Sequence, residues 1–270
     1  IKLSRKKLID KKYNISLNLS RETQEMTTIF EREKPDAIMV LGDRYDILAC
    51  VPAIIFNIPI IHIYGGAVTL GAIDEQVRHA FTKLSHLHLV ATDKYKKRIL
   101  QLGEEFWRVK NIGVPELGYL KKQKILNINE ISEIVGLNLA KKTILCTYHS
   151  ETLAEEETKK SIDTLLSALK DLDYQVIFTY GNTDYNHSVI LNKIKNFIKK
   201  NNKPVIKFVI VKNTNLSLYS NLLFYCSCMI GNSSSGIVES TVFKTPSISL
   251  GLRQVGKEHD LNVIFVKNKK

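Results

Sequence analysis

The feature that most constrains this chain is an alternation, from residue 36 onward, of short apolar runs with amphipathic segments of helix length. Such alternation is typical of parallel sheets with helices on both faces, so it predicts an α/β fold. Helices are expected to begin near Arg44, Asp74 and Asp93. Strands are expected at residues 36–42, 59–64, 87–91, 108–113, 143–147, 175–180, 205–211, 226–231 and 246–251.

The apolar runs fall into two groups separated by residues 121–141, which are polar and lack the strand pattern. This segment predicts a helix plus connector at a domain boundary. We therefore expect two doubly wound, Rossmann-like domains, residues 1–123 and 124–270, with a ligand cleft between them. The chain begins without methionine in a basic, helical segment and stops just past a strand, so an opening strand and a closing helix are expected beyond its ends.

The apolar segments do not have the pattern of a membrane protein. The longest, residues 47–64, is interrupted by Pro52 and Pro59, and the basic N-terminus is not followed by the apolar region of a secretory signal. These features predict a soluble, cytoplasmic protein without a membrane partner.

Cysteines and net charge narrow the possible partners further. Cys50, Cys146, Cys226 and Cys228 lack metal-ligand spacing and are expected to be buried thiols. The net charge of +12 suits an anionic ligand. Much of that charge is scattered lysine without an aromatic-interleaved basic motif, so nucleic acid is not the expected partner.

Charged residues follow two predicted strands of the first half. Asp43 and Arg44 come directly after one strand, and Asp74 and Arg78 open the helix after the next. Ligands of open parallel sheets bind at this carboxyl edge, and Arg44 could reach a phosphate there. The pattern leaves open whether Asp43 only caps its helix, and whether Asp74 and Arg78, four residues apart, form only a surface ion pair.

The second half contains two further candidate segments. His149 follows a strand, where it could contact a ligand or serve a structural role. Residues 231–236, GNSSSG, form a small-residue loop expected to open a helix and to bind phosphate, although an ordinary serine cap would give the same pattern. Glu239 could accept hydrogen bonds from a ribose, and Arg253 adds a cation near the same edge.

Five segments in order resemble the hydrolysing UDP-N-acetylglucosamine 2-epimerases, which include bacterial sialic-acid pathway enzymes and the epimerase half of the animal bifunctional enzyme. The segments are VLGDRYD, HIYGGAVTLGAIDEQVRHAFTKLSH, TYHSET, GNSSSGIVES and GLRQVGKEHDLNVI. The resemblance implies a glycosyltransferase-B-like fold with UDP against the second domain and the sugar facing the first. It also implies no cofactor or metal, and a homodimer or homotetramer.

Residue by residue, the resemblance implies a catalytic group of Asp43, Asp74 and His149. It implies UDP contacts from Arg44, Asn182, Ser233, Ser234, Glu239 and Arg253. The implied reaction removes UDP from UDP-N-acetylglucosamine to give a glycal, then adds water with inversion at C2 to give N-acetylmannosamine. These residues supply the proton-transfer groups and the cations that such a route needs.

Two positions depart from the family pattern. Many relatives have glutamate where this chain has Tyr64, and those with a GGE sequence have it at the position of Ala67. These replacements keep two alternatives open: the same chemistry on a UDP-2,4-diacetamido-2,4,6-trideoxyhexose, and a nucleotide-sugar-binding protein without activity. A third alternative is a two-domain glycosyltransferase, because that class shares the architecture and the phosphate-binding helix start of the second domain.

Overall fold

The computed structural model describes residues 12–70, 72–151, 155–180, 187–202, 204–205, 207–212 and 214–266. The chain divides into two compact units, one ending at Pro115 and the other beginning at Glu116, a few residues before the predicted boundary. Each unit contains one sheet whose strands all pair in parallel. The predicted α/β fold with parallel sheets is therefore confirmed.

The first unit has a four-stranded sheet in the order β1-β2-β3-β4. Its strands are β1 (Ile38–Leu41), β2 (Ile60–Ile63), β3 (Leu87–Val90) and β4 (Val109–Asn111), and its helices are α1 (Lys12–Glu33), α2 (Asp74–Leu84) and α3 (Asp93–Gln101). Helix α1 buries one stripe at four-residue spacing, which ends in Met26 and Phe30. These two side chains pack in one core cluster with Ile60 and Phe81.

The segment after Arg44 is a 3-10 helix, Tyr45–Ile54, and not the α-helix that the pattern suggested. Pro52 lies inside it and has no backbone N–H to donate, so it removes one helical hydrogen bond near the end of the segment. The helices expected near Asp74 and Asp93 are present as α2 and α3.

The second unit has a six-stranded sheet in the order β10-β9-β8-β5-β6-β7. The strands are β5 (Thr143–Thr147), β6 (Gln175–Thr179), β7 (Phe208–Val211), β8 (Cys228–Gly231), β9 (Ser247–Leu250) and β10 (Val263–Val266). The helices that follow α3 are α4 (Pro115–Lys121), α5 (Ile128–Val135), α6 (Glu155–Asp171), α7 (His187–Asn201) and α8 (Leu216–Tyr225). Every predicted strand of both halves overlaps an observed one.

The loop after β8 differs from the sequence prediction. It leads into two short 3-10 turns, Ser234–Gly236 and Glu239–Thr241, and not into an α-helix. Within it the Ser240 hydroxyl donates to the Gly236 carbonyl at 2.9 Å, and the Thr241 hydroxyl donates to the Val238 carbonyl at 2.6 Å. Such local side-chain bonds compete with helical backbone bonds, so the loop cannot rely on a helix dipole to attract an anion.

The four thiols are all free, and only two of them are fully buried. Cys146 and Cys226 lie inside the second unit, where burial raises the pKa of each to about 12. Cys50 and Cys228 are half-buried, so the prediction of burial is wrong for these two. Among the described residues, no helix combines the length and the apolar character needed to cross a membrane.

Candidate functional site

Arg78 is the fully buried centre of a polar cluster in the first unit. Its Nε donates to Asp43 Oδ2 at 3.0 Å, and its Nη2 donates to the same oxygen. Its Nη1 donates to Glu75 Oε2 at 2.7 Å and to the Ala67 carbonyl at 2.9 Å, and Nη2 also reaches the Thr69 hydroxyl. One guanidinium therefore joins two carboxylates and the loop between β2 and α2.

The sequence left open whether Arg78 forms only a surface ion pair with Asp74, and the complete burial of Arg78 excludes that alternative. Arg78 lies on the buried face of α2, beside Val77 and Phe81, and it pairs with Asp43, 35 residues earlier, and with Glu75. Asp74 is the first residue of α2 and is half-buried.

Glu75 is a member of this cluster that the sequence analysis did not place in the site. Burial raises the pKa of Glu75, but a hydrogen bond from the Thr69 amide, together with His79 and Arg78, outweighs that effect and lowers the pKa below its ordinary value. Its other oxygen lies 3.0 Å from His79 Nε2. The three-residue spacing to Arg78 was the available sign in the sequence.

Asp43 is held at the carboxyl end of β1 by the turn at Gly42. Gly42 has φ +92°, which favours glycine, and its carbonyl accepts a hydrogen bond from His62 Nε2 at 2.8 Å. Nδ1 of His62 faces the Thr82 hydroxyl at 3.2 Å, so the imidazole is fixed from both sides. Burial lowers the pKa of His62 to about 4, and the ring is therefore neutral at pH 7.

Arg44 follows Asp43 at the same edge and is half-buried. Its Nε lies 3.8 Å from Asp46 Oδ2, and its guanidinium lies 5.4 Å from the centroid of the Tyr45 ring. Asp43 and Arg44 therefore follow one another at the end of β1, where Arg78 also reaches Asp43.

The two positions that depart from the family pattern lie in the loop after β2. Tyr64 is half-buried and has φ +67°, and Ala67 is buried, with its carbonyl bound by Arg78. A left-handed tyrosine is uncommon, because its Cβ crowds the backbone. No carboxylate can come from either position, and Glu75 lies on the same Arg78 as Ala67.

In the second unit, His149 is clamped by the buried side chain of Asn232. The His149 amide donates to Asn232 Oδ1 at 2.6 Å, and Asn232 Nδ2 donates back to the His149 carbonyl at 2.8 Å. The Asn232 carbonyl in turn accepts from Gln254 Nε2 at 2.8 Å and from Arg253 Nη1 at 3.3 Å. From the sequence, Asn232 was predicted only as part of a phosphate-binding loop, and Gln254 was not predicted to lie in the site.

His149 is buried next to positive charge. Burial, the nearby Arg253 and His187 together lower the pKa of His149 to about 3. The imidazole is therefore neutral at pH 7 and can accept a hydrogen bond at one ring nitrogen and donate one at the other. Arg253 therefore lies close enough to His149 to affect its protonation.

The serine loop, residues 231–236, approaches the backbone of β5 closely. A Cβ on Gly231, which has φ +148°, would lie 1.8 Å from the Thr147 carbonyl oxygen, so this position requires glycine. Ser234 is exposed and Ser233 is half-buried, and the Ser233 hydroxyl lies 2.9 Å from the Ser235 hydroxyl. Ser235 is buried and accepts a hydrogen bond from Tyr219 Oη at 2.5 Å.

Glu239 and Asn182 complete the predicted nucleotide contacts. Glu239 is half-buried; burial raises its pKa, an effect that Lys257 opposes and Glu116 reinforces. Asn182 lies outside the described residues. Within the described part of the chain, no group of three or more His, Cys, Asp or Glu side chains could hold a metal ion.

Each cluster lies where parallel strands end, which is the ligand-binding edge of open α/β sheets. Fold and site thus define an α/β protein with paired carboxylates on one sheet and cations, hydroxyls and a neutral histidine on the other. Residues 4–270 match the family model described as UDP-N-acetylglucosamine 2-epimerase. The chain belongs to the UDP-N-acetylglucosamine 2-epimerase family, and the predicted resemblance is confirmed.

Two curated relatives span nearly the whole chain. GDP/UDP-N,N'-diacetylbacillosamine 2-epimerase (hydrolyzing) of Campylobacter jejuni is 40% identical over 257 residues, which cover 94% of this chain and 66% of the relative. Polysialic acid biosynthesis protein P7 of Escherichia coli is 38% identical over 240 residues, 88% of this chain and 60% of the relative. The chain therefore spans less than two thirds of the length of these relatives.

A solved structure shows the same fold. The crystal structure of UDP-GlcNAc 2-epimerase from Neisseria meningitidis bound to UDP-GlcNAc aligns with a TM-score of 0.72 and 18% identity. The alignment covers 90% of this chain and 66% of that structure. The α/β architecture with parallel sheets is thus that of a UDP-GlcNAc 2-epimerase structure.

Proposed function

We propose that this chain carries the catalytic and nucleotide-binding residues of a hydrolysing 2-epimerase that acts on a UDP-linked 2-acetamido sugar. The observation that supports it best is the Arg78 cluster, found in a chain of this family. It holds Asp43 and Glu75 on one guanidinium at the end of the first sheet. Proton transfer at C2 of a sugar needs carboxylates whose position and charge are fixed in this way.

The proposed reaction has two steps. In the first, a base removes the proton at C2 and the C1–O bond breaks; the electron pair of that bond leaves with UDP, and a glycal with a C1–C2 double bond remains. In the second, water adds across this bond, its hydroxyl to C1 and a proton to the opposite face of C2. One water is consumed, the sugar is released free, and C2 is inverted.

Asp43, Asp74 and His149 are the proposed proton-transfer residues, and the contacts of two of them support these roles. Among the described residues, Asp43 Oδ1 has no hydrogen-bond donor, since Arg78 binds Oδ2. His149 is neutral at pH 7 and its backbone is held at both polar groups by Asn232. Glu75 is a further carboxylate of the same cluster, in a loop where Tyr64 and Ala67 supply none.

Leaving-group stabilisation is assigned to cations and hydroxyls. Arg253 and the hydroxyls of Ser233 and Ser234 would bind the diphosphate in the second unit, and Arg44 would supply a cation from the first. Glu239 would accept from the ribose, and Asn182 would contact the nucleotide. Developing negative charge on a departing diphosphate is stabilised by such donors more than the ground state is. The steps move only protons and electron pairs, so the proposal includes no cofactor.

Two sugars are candidate substrates. The first is UDP-N-acetylglucosamine, which would give N-acetylmannosamine for a sialic-acid-type glycan. The second is UDP-N,N'-diacetylbacillosamine, and it is favoured by the 40% identity to an epimerase named for that sugar. The replacement of two family glutamates by Tyr64 and Ala67 is consistent with a change of sugar.

Proton NMR in heavy water separates these possibilities. The full-length protein is incubated with UDP-N-acetylglucosamine and, in parallel, with UDP- and GDP-N,N'-diacetylbacillosamine, and nucleotide, free sugar and deuterium at C2 are followed. We expect an inverted free sugar with deuterium at C2 from one of the UDP sugars. Release of UDP only when an acceptor sugar is added would indicate a glycosyltransferase, and binding without turnover would indicate a protein that only binds the nucleotide sugar.

Substitutions test the assigned residues. Asp43→Asn keeps an oxygen for Arg78 and His149→Gln keeps a polar side chain, yet each removes a proton-transfer group. We expect kcat to fall at least about 100-fold, with the Kd for UDP changed less than about threefold. Asp36→Asn, at the exposed amino end of β1, and His259→Gln, at an exposed position of the second unit, are matched controls that should retain activity. Equal loss of activity in a control and its test variant would contradict the assignment.

A further inference from the structure

A chain of three hydroxyl groups joins helix α8 to the serine loop. Tyr219 Oη donates to Ser235 Oγ at 2.5 Å, and Ser235 Oγ lies 2.9 Å from Ser233 Oγ. Ser235 is buried, whereas Ser233 is half-buried at the accessible side of the loop. Tyr219 therefore contacts the accessible serine only through Ser235.

The first bond of this chain fixes the direction of the others. Tyr219 Oη has two acceptors in reach, Ser235 Oγ at 2.5 Å and the weaker thioether acceptor Met229 Sδ at 3.8 Å. With its single hydrogen on the nearer oxygen, the hydrogen of Ser235 is available for Ser233. The Ser233 oxygen also accepts from the Ser235 backbone amide at 3.4 Å. Both acceptor positions of Ser233 are then occupied from within the loop, so its own hydrogen is left to be donated to a group other than Ser235.

A hydroxyl that can only donate requires an acceptor in the ligand, and an anionic acceptor forms the stronger bond. A diphosphate has acceptor oxygens and no donors at neutral pH, whereas water and sugar hydroxyls can do either. Positive charge lies close by, because Arg253 binds the carbonyl of Asn232, the residue before Ser233. Hydroxyl chains also polarise one another, which strengthens the last donor.

We propose that Tyr219 is a positioning residue for diphosphate recognition: it orients the Ser233 hydroxyl as a fixed donor through Ser235. The inference rests on the proposed function in one respect, the assignment of the serine loop to the diphosphate. It adds a residue that does not itself touch the ligand.

Tyr219→Phe removes one oxygen and retains the ring, so it tests the chain with little change in packing. We expect UDP to bind about five- to tenfold more weakly by calorimetry, since one neutral hydrogen bond is lost or loses its direction. Uridine, which lacks phosphate, should bind as it does to the wild type. Tyr225→Phe is the matched control: it lies on the same helix and loses a bond of 2.6 Å to the Leu126 carbonyl, away from the loop.

A double-mutant cycle tests whether Tyr219 affects UDP affinity through Ser235 or by a general loss of stability. Ser235→Ala breaks the middle of the chain, so Tyr219→Phe in that background should weaken UDP binding no further. The inference would be overturned by UDP binding within twofold of wild type in Tyr219→Phe. Equal weakening of UDP and uridine, an equal loss in Tyr225→Phe, or additive losses in the double variant would overturn it as well.

The test of Tyr219 and the test of the proposed reaction can fail independently of each other. Calorimetry measures UDP affinity alone, so a wild-type protein that binds UDP but turns over no sugar would contradict the epimerase. Selective weakening of UDP binding in Tyr219→Phe would still support the positioning role. A wild-type protein that does not bind UDP would overturn both proposals.

Discussion

Replacing Arg78 with methionine is the most informative perturbation of the first unit. The substitution retains a long apolar side chain in a site that is completely closed to solvent and removes all the guanidinium donors of the cluster. Four groups lose their common partner: the carboxylates of Asp43 and Glu75, the Ala67 carbonyl and the Thr69 hydroxyl.

The expected magnitude follows from the exposure of each partner. Ala67 and Thr69 are 8% and 2% exposed, so each unsatisfied oxygen costs about 1–3 kcal/mol. The side chains of Asp43 and Glu75 are 33% and 25% exposed, so water screens part of their repulsion, which adds about 1–2 kcal/mol. Together these terms allow the free energy of unfolding to fall by about 3–8 kcal/mol, and we expect a value in the lower half of that span, about 3–5 kcal/mol, which is the range for breaking a buried ion pair.

Urea unfolding followed by fluorescence measures this change in the first unit alone, because the single tryptophan of the chain, Trp107, lies there. Arg78→Lys keeps the charge but reaches fewer acceptors, and should lose about 1–3 kcal/mol. Adding Asp43→Asn to Arg78→Met should restore part of the stability, since one uncompensated carboxylate is removed. The exposed ion pair between Arg32 and Glu33 provides the control. Arg32→Lys should change the free energy of unfolding by less than about 0.5 kcal/mol. A loss below about 1 kcal/mol in Arg78→Met would refute the account of the cluster.

Two further substitutions test the backbone and the buried histidine. Gly231→Ala should destabilise the second unit by more than about 4 kcal/mol in thermal unfolding, because the added Cβ would overlap the Thr147 carbonyl. Gly118→Ala is the control: there is open space around Gly118, so this substitution should be neutral or stabilising. Since burial holds the pKa of His62 at about 4, the unfolded state binds a proton that the native state does not between pH 6.5 and 4. Stability should therefore fall by up to about 3 kcal/mol across that window, and His62→Gln should flatten the slope measured by Trp107 fluorescence; an unchanged slope would exclude His62 as its source.

The sequence predicted the strands well, because a buried parallel strand needs an unbroken apolar run and such runs are visible without tertiary information. It predicted the 3-10 segments poorly. Pro52 was visible, but the apolar content around it suggested an α-helix, and the hydroxyls of Ser240 and Thr241 affect backbone geometry only through bonds that the sequence does not show.

The sequence predicted candidate site residues where they directly follow strands, but it did not predict hydrogen bonds between residues that are distant in the sequence. Asp43 and His149 were proposed as site residues from their position alone. The burial of Arg78 and its bond to Asp43 were not predicted, because helical spacing shows which residues share a face but not whether that face is buried. The roles of Asn232 and Tyr219 depend on bonds across 83 and 16 residues, for which a single sequence contains no pattern.

Because His149 is held by hydrogen bonds to Asn232, His149 cannot reach its final geometry during synthesis until Asn232 has been translated. β5 and β8 are neighbours in the sheet, yet β6, β7 and the helices around them are translated between the two strands. A nascent chain in which β5 has left the ribosome and β8 has not still lacks the Asn232 side chain that binds the amide and carbonyl of His149. Long-range pairing of this kind forms late and slowly, so the histidine should acquire its final geometry only as the last third of the chain folds.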